Sequence, residues 1–391
     1  MFYIYRYYVL INKTYLKLIL FLIIIKLILF SGAFLGYKII PFDDEMYDSN
    51  FNFFEKGDGF FEIWQTWDSQ WYLKIARDGY FTGSFTEMSD IAVYAFFPLF
   101  PLLIYFLNFL FSNLVISGLF VSFICSVVTV IYLYKLINLD YPHLIARNSI
   151  IYYLLFPTAF FFSAIYTESL FLMLVVLTFY YAREQKWWLC SFFGVLCSLT
   201  RTIGVLLLFP ILIEYFKSLG SNNFKIRFNK NIVWLLIMPL GLGIYQLFIW
   251  LTTNNFSTYF ISQKFWGRQM FNFGAYITHL TNLTFHSFKY SFLDLVTVII
   301  FIFMLYHIYK RLRFSYFLYS VLIMILPLLS ANLMSMTRLV LISFPHYILL
   351  ALWTSDYKSG KVGIWFYILS ILFGVLQVFL AALFVNNYWI A

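Results

Sequence analysis

An aspartate held between two tryptophans, in the stretch Trp67-Asp68-Ser69-Gln70-Trp71, is the first place in this chain where side chains could do chemistry. Trp67, Trp71 and Ile75 recur at i, i+4 and i+8, which predicts a short amphipathic helix on a membrane surface, with Gly79 as its C-terminal stop. Asp68 then falls at the N-cap, where a carboxylate serves the first free backbone amides. The same place suits a carboxylate that takes a proton from a hydroxyl group. Capping and general-base roles therefore stand side by side.

Further candidates lie far along the chain. Glu168, in the stretch 156–171 (FPTAFFFSAIYTESLF), falls in the first turn of an apolar segment, where its charge also favours the helix N-terminus. Arg201, in L-T-R-T-I-G, sits at a joint between two short apolar segments. An intramembrane arginine needs a partner, so it reads as a functional residue or as half of a structural ion pair. Arg338, in S-M-T-R-L, opens another apolar segment, where it could also snorkel to lipid headgroups. The stretch 261–271 adds Gln263, Lys264, Trp266 and Arg268, a set that an interfacial amphipathic strip explains equally well.

Together these make an outward-facing site of carboxylates, arginines and aromatic faces at lipid-headgroup depth. Arginine grips phosphate bidentately, so the set suits a lipid-linked phosphate substrate with Trp67, Trp71, Gln263 and Arg268 helping to bind it. If a sugar is carried on that phosphate, one carboxylate must take the proton from the attacking hydroxyl. Arginines must stabilise the departing phosphate. A single displacement inverts the anomeric carbon and asks for no metal or other cofactor. No P-loop, G-x-G-x-x-G, H-E-x-x-H or G-x-S-x-G motif occurs, and the five histidines are scattered. The acidic D-D-E at 43–45 reads as a solvated turn. Cys125, Cys190 and Cys197 all lie in apolar runs and form neither a disulfide framework nor a metal-ligand spacing.

The elements that must position these groups are membrane helices. The chain is 63% hydrophobic and 11% charged, a balance foreign to soluble domains. Its net charge of +9 is expected from basic cytoplasmic loops rather than from nucleic-acid binding. The first apolar run, about 15–37, reads as a retained signal anchor. The loop at 38–92 holds 11 of the 17 acids and is expected outside, or in a lumen. With 96–111 dipping in and returning, further spans fall near 114–134, 148–160, 166–182, 187–200, 202–217, 231–251, 291–309, 314–333, 339–353 and 362–385. The expectation is an all-α polytopic membrane protein of about 11 spans in one domain over 1–391, with outer loops at 38–92 and 252–290. Asp68, Glu168, Arg201 and Arg338 then share the outer side, and Arg183 and Arg313 the cytoplasmic one.

In order and spacing, W-D-S-Q-W-Y-L-K-I-A-R-D-G-Y (67–80), Y-A-F-F-P-L-F-P-L-L (94–103), F-P-T-A-F-F-F-S-A-I-Y-T-E-S-L-F, L-T-R-T-I-G-V-L-L and S-M-T-R-L-V-L-I-S-F-P resemble the PIG-V-like family. That family comprises the GPI mannosyltransferase II enzymes and their prokaryotic relatives, in the GT-C superfamily. The resemblance implies a GT-C fold and an inverting transfer, most readily of mannose, from a dolichyl- or polyprenyl-phosphate sugar. The acceptor would be a glycolipid such as a GPI precursor, or another surface glycan. It also implies Asp68 as base, with Glu168, Arg201 and Arg338 matching residues of the later blocks. The last block commonly reads S-M-P-R-Y, whereas Thr337 and Leu339 stand here. The membrane would be the endoplasmic reticulum in a eukaryote and the plasma membrane in a prokaryote, with a small membrane subunit as one further partner. Two other readings stay open: a flippase for a lipid-linked saccharide, and a non-catalytic subunit of a glycan-assembly complex. The sequons at Asn255 and Asn282 fall on the expected outer side.

Overall fold

A computed structural model describes residues 2–48, 51–81, 88–220, 230–268, 285–329, 335–356 and 359–390. Apart from a two-residue antiparallel pairing of Ser355–Asp356 with Lys361–Val362, its regular structure is helical. A long helix, Phe2–Ile39, opens the fold and packs along Ile364–Val385. Gly32 and Gly36 make that contact close, since a Cβ at Gly36 would stand 2.3 Å from Ala382 Cβ and one at Gly32 2.4 Å from Val378 Cγ1. Small residues four apart let two apolar helices approach backbone to backbone where there is no water to expel.

The centre belongs to Glu168–Arg183. Leu114–Asn138 packs on one side of it and Trp187–Ser198 on another. Nearly all of its residues from Glu168 to Phe179 are buried, as befits a helix apolar on every face. Lys26, midway along the first helix, donates to the Phe162 carbonyl at 3.1 Å and to Ser163 Oγ at 2.8 Å. It thereby ties down the 3-10 turn Ala159–Phe162 that leads into Glu168.

Among the described residues, four helices are long and apolar enough to cross a membrane: Lys13–Ile39, Leu114–Asn138, Ile232–Thr253 and Ile364–Val385. A fifth exists if Met336–Ile342 and Pro345–Thr354, bent by 81°, form one span. The expected 11 do not appear as full-length helices. The chain breaks at Pro157 after His143–Leu155, and Arg201 separates Trp187–Ser198 from the 3-10 helix Thr202–Leu207. Each of these pieces is shorter than a bilayer-spanning helix, and Trp187–Ser198 keeps Trp188 and Phe192 exposed on its outer face. Leu99–Phe111, at about 1.5 Å per residue, reaches only about 20 Å. Ser112 then turns it in a left-handed conformation into Leu114–Asn138, so that Gly118 lies beside Ile104.

Charges gather at both ends of the central helix. At its C-terminal end Asp140 accepts from Arg183 at 2.5 and 2.8 Å, and from Arg313 at 2.9 Å to each oxygen. Glu214 lies 3.3 Å from Arg313 Nη1 and accepts from the Ser315 hydroxyl. Burial pushes the Asp140 carboxyl up, but the hydrogen bonds from Arg183 and Arg313 outweigh it and hold it below the usual carboxylate range. Glu168 stands at the other end of the 16-residue helix, about 22 Å away at 1.5 Å per residue. The two sides to which the sequence assigned these charges correspond to two ends of one helix.

Candidate active site

Asp68 opens the helix Asp68–Asp78, which ends as expected at Gly79, whose N–H bonds the Ile75 carbonyl at 2.9 Å. The N-cap, however, is Trp67, and no side chain caps this helix. Asp68 is its first helical residue, and its Oδ2 accepts from Arg338 Nη1 at 2.6 Å instead. The capping role expected of Asp68 is therefore corrected: a guanidinium outcompetes a backbone amide for the carboxylate. The stripe is corrected as well. Trp71 and Ile75 are buried in the protein, with Trp71 stacked on Phe96 at 5.4 Å and edge-on to Trp266 at 5.6 Å. Trp67 is half-buried against Trp389, ring centroids 4.8 Å apart. This is a packing face, because the second outer loop folds over the first.

Four charges meet here. Glu168, the first residue of the central helix, lies 2.8 Å from Arg201 Nη1 and 3.3 Å from Arg338 Nε through the same Oε1. Arg338 therefore bridges both acids, and Arg201 leans on one of them. Glu168 is 1% exposed and Arg338 10%, whereas Asp68 keeps 22% of its side chain open. The base candidate is the carboxylate that solvent or a substrate can reach. The Arg338 guanidinium also lies 5.3 Å from the centre of the Tyr166 ring. It faces inward, against the expectation that it could snorkel to headgroups. Arg201 sits in extended backbone at the joint before Thr202–Leu207, so the ion-pair partner it needed is Glu168.

Of the other expected residues, Arg268 belongs to this field. Burial first, and then the charges of Arg338 and Arg201, pull its pKa below the usual guanidinium value. Gln263 lies half-buried on Thr258–Phe265, and among the described residues no hydrogen bond joins its side chain to the quartet. That helix docks where the Tyr259 hydroxyl meets Thr202, next to Arg201. Asn255 is exposed in the turn before it, while Asn282 lies outside the described residues. Among the described residues no three His, Cys, Asp or Glu side chains gather in a way that could ligate a metal.

Two contributors escaped the sequence reading. Tyr166 lies inside the quoted Y-T-E block, and its hydroxyl accepts the Asp68 N–H at 3.2 Å. The segment after the last helix closes over both sides of the quartet. Thr66 Oγ1 donates to Asn387 Oδ1 at 2.8 Å, and Thr337 Oγ1 donates to the Ile390 carbonyl at 3.3 Å. Only the Asn-Asn-Tyr-Trp end of an apolar run hinted at it.

Residues 97–267 match the family described as dolichyl-phosphate-mannose-protein mannosyltransferase. The matched stretch is under half of the chain; it contains Glu168 and Arg201 and excludes Asp68 and Arg338. It supports the GT-C superfamily of membrane glycosyltransferases, and with the apolar helices an integral membrane protein. No curated protein matches the chain.

Proposed function

We propose that this protein is an inverting glycosyltransferase that moves a hexose, mannose first among the candidates, from a polyprenyl- or dolichyl-phosphate sugar to a hydroxyl group. The observation that carries the reading is the contact of Asp68 with Arg338, which unites a reachable carboxylate with a phosphate-binding side chain. The family match supports the lipid-phosphate donor. The resemblance to PIG-V-like enzymes supports a glycolipid acceptor of GPI-precursor type on the outer or lumenal face.

In this scheme the acceptor hydroxyl attacks the anomeric carbon while the bond from that carbon to the phosphate oxygen breaks. Asp68 takes the hydroxyl proton. Arg338, and behind it Arg201, offset the charge that builds on the departing lipid phosphate. Glu168 keeps both arginines in place while no phosphate is bound. The protein supplies a base and cations, and the scheme needs no metal. Arg268 adds a third positive charge to a quartet that is neutral by itself, which favours an anionic ligand.

The test is transfer of radiolabelled mannose from dolichyl-phosphate mannose into lipid-extractable product, in membranes with equal amounts of wild type and Asp68→Asn. The expected result is a loss of about 100-fold or more, the usual share of a general base. Undiminished transfer by Asp68→Asn would remove Asp68 from the chemistry.

A further inference from the structure

Arg338 reaches both acids from a turn with little of its own to hold it. Met336–Leu339 is only four residues long and follows Ser335, which is left-handed at φ 70°. Three distant elements instead grip Thr337, the neighbour of Arg338. Asp294, on Phe285–Arg311, accepts the Thr337 N–H through Oδ1 at 3.3 Å, and the amides of Ser335 and Met336 face the same carboxylate. The Thr158 hydroxyl donates to the Thr337 carbonyl at 3.1 Å, and the Thr337 hydroxyl holds Ile390. Asp294 is 4% exposed and is the one acid between Glu214 and Asp356 in the chain. A carboxylate inside an apolar helix is costly and marks a place where its charge is used.

We propose that Asp294 is a positioning residue for Arg338: its carboxylate takes the amides that open the Met336–Leu339 turn and so sets the direction from which the guanidinium meets Asp68 and Glu168. The carboxylate replaces, from another helix, the cap that this turn lacks. Asp294 touches no reacting atom in this arrangement. It acts through Arg338, and this part of the inference rests on the transfer reading above.

The test compares wild type, Asp294→Ala and Asp294→Asn as full chains in lipid nanodiscs, by amide hydrogen exchange and by donor kinetics. Asp294→Ala should speed exchange across 335–339 and raise KM for dolichyl-phosphate mannose by about tenfold with a smaller change in kcat, the scale of one charge-assisted hydrogen bond. Asp294→Asn, whose amide oxygen still accepts, should restore most of both. Added to Arg338→Lys, Asp294→Ala should cost little more, because both act on one contact. Unchanged exchange at 335–339, or multiplicative losses in the double variant, would overturn the proposal. Where Asp294→Ala does not accumulate, Asp294→Ser takes its place: it stays polar but is too short to reach the Thr337 amide. If wild type transfers nothing from this donor, the transfer reading falls, and the exchange comparison alone decides the role of Asp294.

Discussion

Arg338 Nη1 lies 2.6 Å from Asp68 Oδ2 across 270 residues of chain, and each of the two helices that present them starts from a residue at positive φ, Trp67 at 56° and Ser335 at 70°. A bulky side chain at positive φ is strained, at a cost of about 1–3 kcal/mol, and persists only where its surroundings over-determine it. The surroundings here are shared. The segment 386–390 binds Thr66 and Trp67 on one side and Thr337 on the other. The ion pair and its two strained approaches thus form one unit.

Arg338→Lys keeps the charge but replaces a planar fork with one ammonium, which does not reproduce the separate Nη1 and Nε approaches to Asp68 and Glu168. Transfer should fall by about tenfold or more in kcat/KM while the protein stays folded. Steady-state assays at equal protein level check this, and a wild-type rate would mean that the two-acid bridge is dispensable.

Removing Glu168 should harm stability more than removing Arg201. Glu168 serves two arginines, and among the described residues Arg201 has no other acidic partner. Glu168→Ala leaves a part-buried charge unpaired, at a cost of about 3 kcal/mol. Arg201→Ala leaves Glu168 still facing Arg338 and should cost less. Thermal unfolding in one detergent ranks the two, and equal losses would contradict the asymmetry.

The Asp140 cluster should give stability a defined acid limit. The folded pKa of Asp140 lies below its unfolded value, so its contribution is complete above the ordinary carboxylate pKa of about 3.9 and fades as pH falls through the lower folded value. Asp140→Asn should therefore melt below wild type by a constant margin from pH 8 to about pH 5, a gap that closes only below about pH 4. Melting curves across that range decide it. A gap that vanished between pH 5 and 6 would point to another group.

Gly36→Val should separate the first helix from the last. The new side chain has no room beside Ala382, and overpacking of this kind costs about 1–3 kcal/mol or more. Because Ile364–Val385 leads directly into Asn386–Ile390, transfer should fall along with stability. A variant that lost stability but kept its full rate would detach that segment from the site.

The charged residues of the site were legible in the sequence because charge is rare in this chain and each one is conspicuous against apolar runs. Asp68, Glu168, Arg201 and Arg338 stood out singly, and the assignment of sides grouped them. Their pairing was not legible, since it depends on how helices far apart in the chain meet. Asp294 shows the opposite failure: a lone acid in S-F-L-D-L-V carried the same signal as Arg201 and passed unremarked. Trp71 misled because an i, i+4, i+8 stripe looks the same whether lipid or protein covers it. The lengths of the expected spans were not legible either, because an apolar run does not show where Pro157 or the joint at Arg201 interrupts its helix.

The central helix places its two ionic clusters about 22 Å apart, whereas a bilayer's hydrocarbon layer measures about 30 Å. The backbone of this helix is shorter than that layer, so the side chains at its two ends must make up part of the difference. Thinning of the bilayer around this helix, or a water-filled recess beneath the headgroups at one cluster, would supply the rest. If the recess lies on the Asp68 side, then under the proposed transfer a lipid-borne sugar would reach Asp68 without being lifted clear of the membrane, and bilayer thickness would become a variable that tunes the reaction.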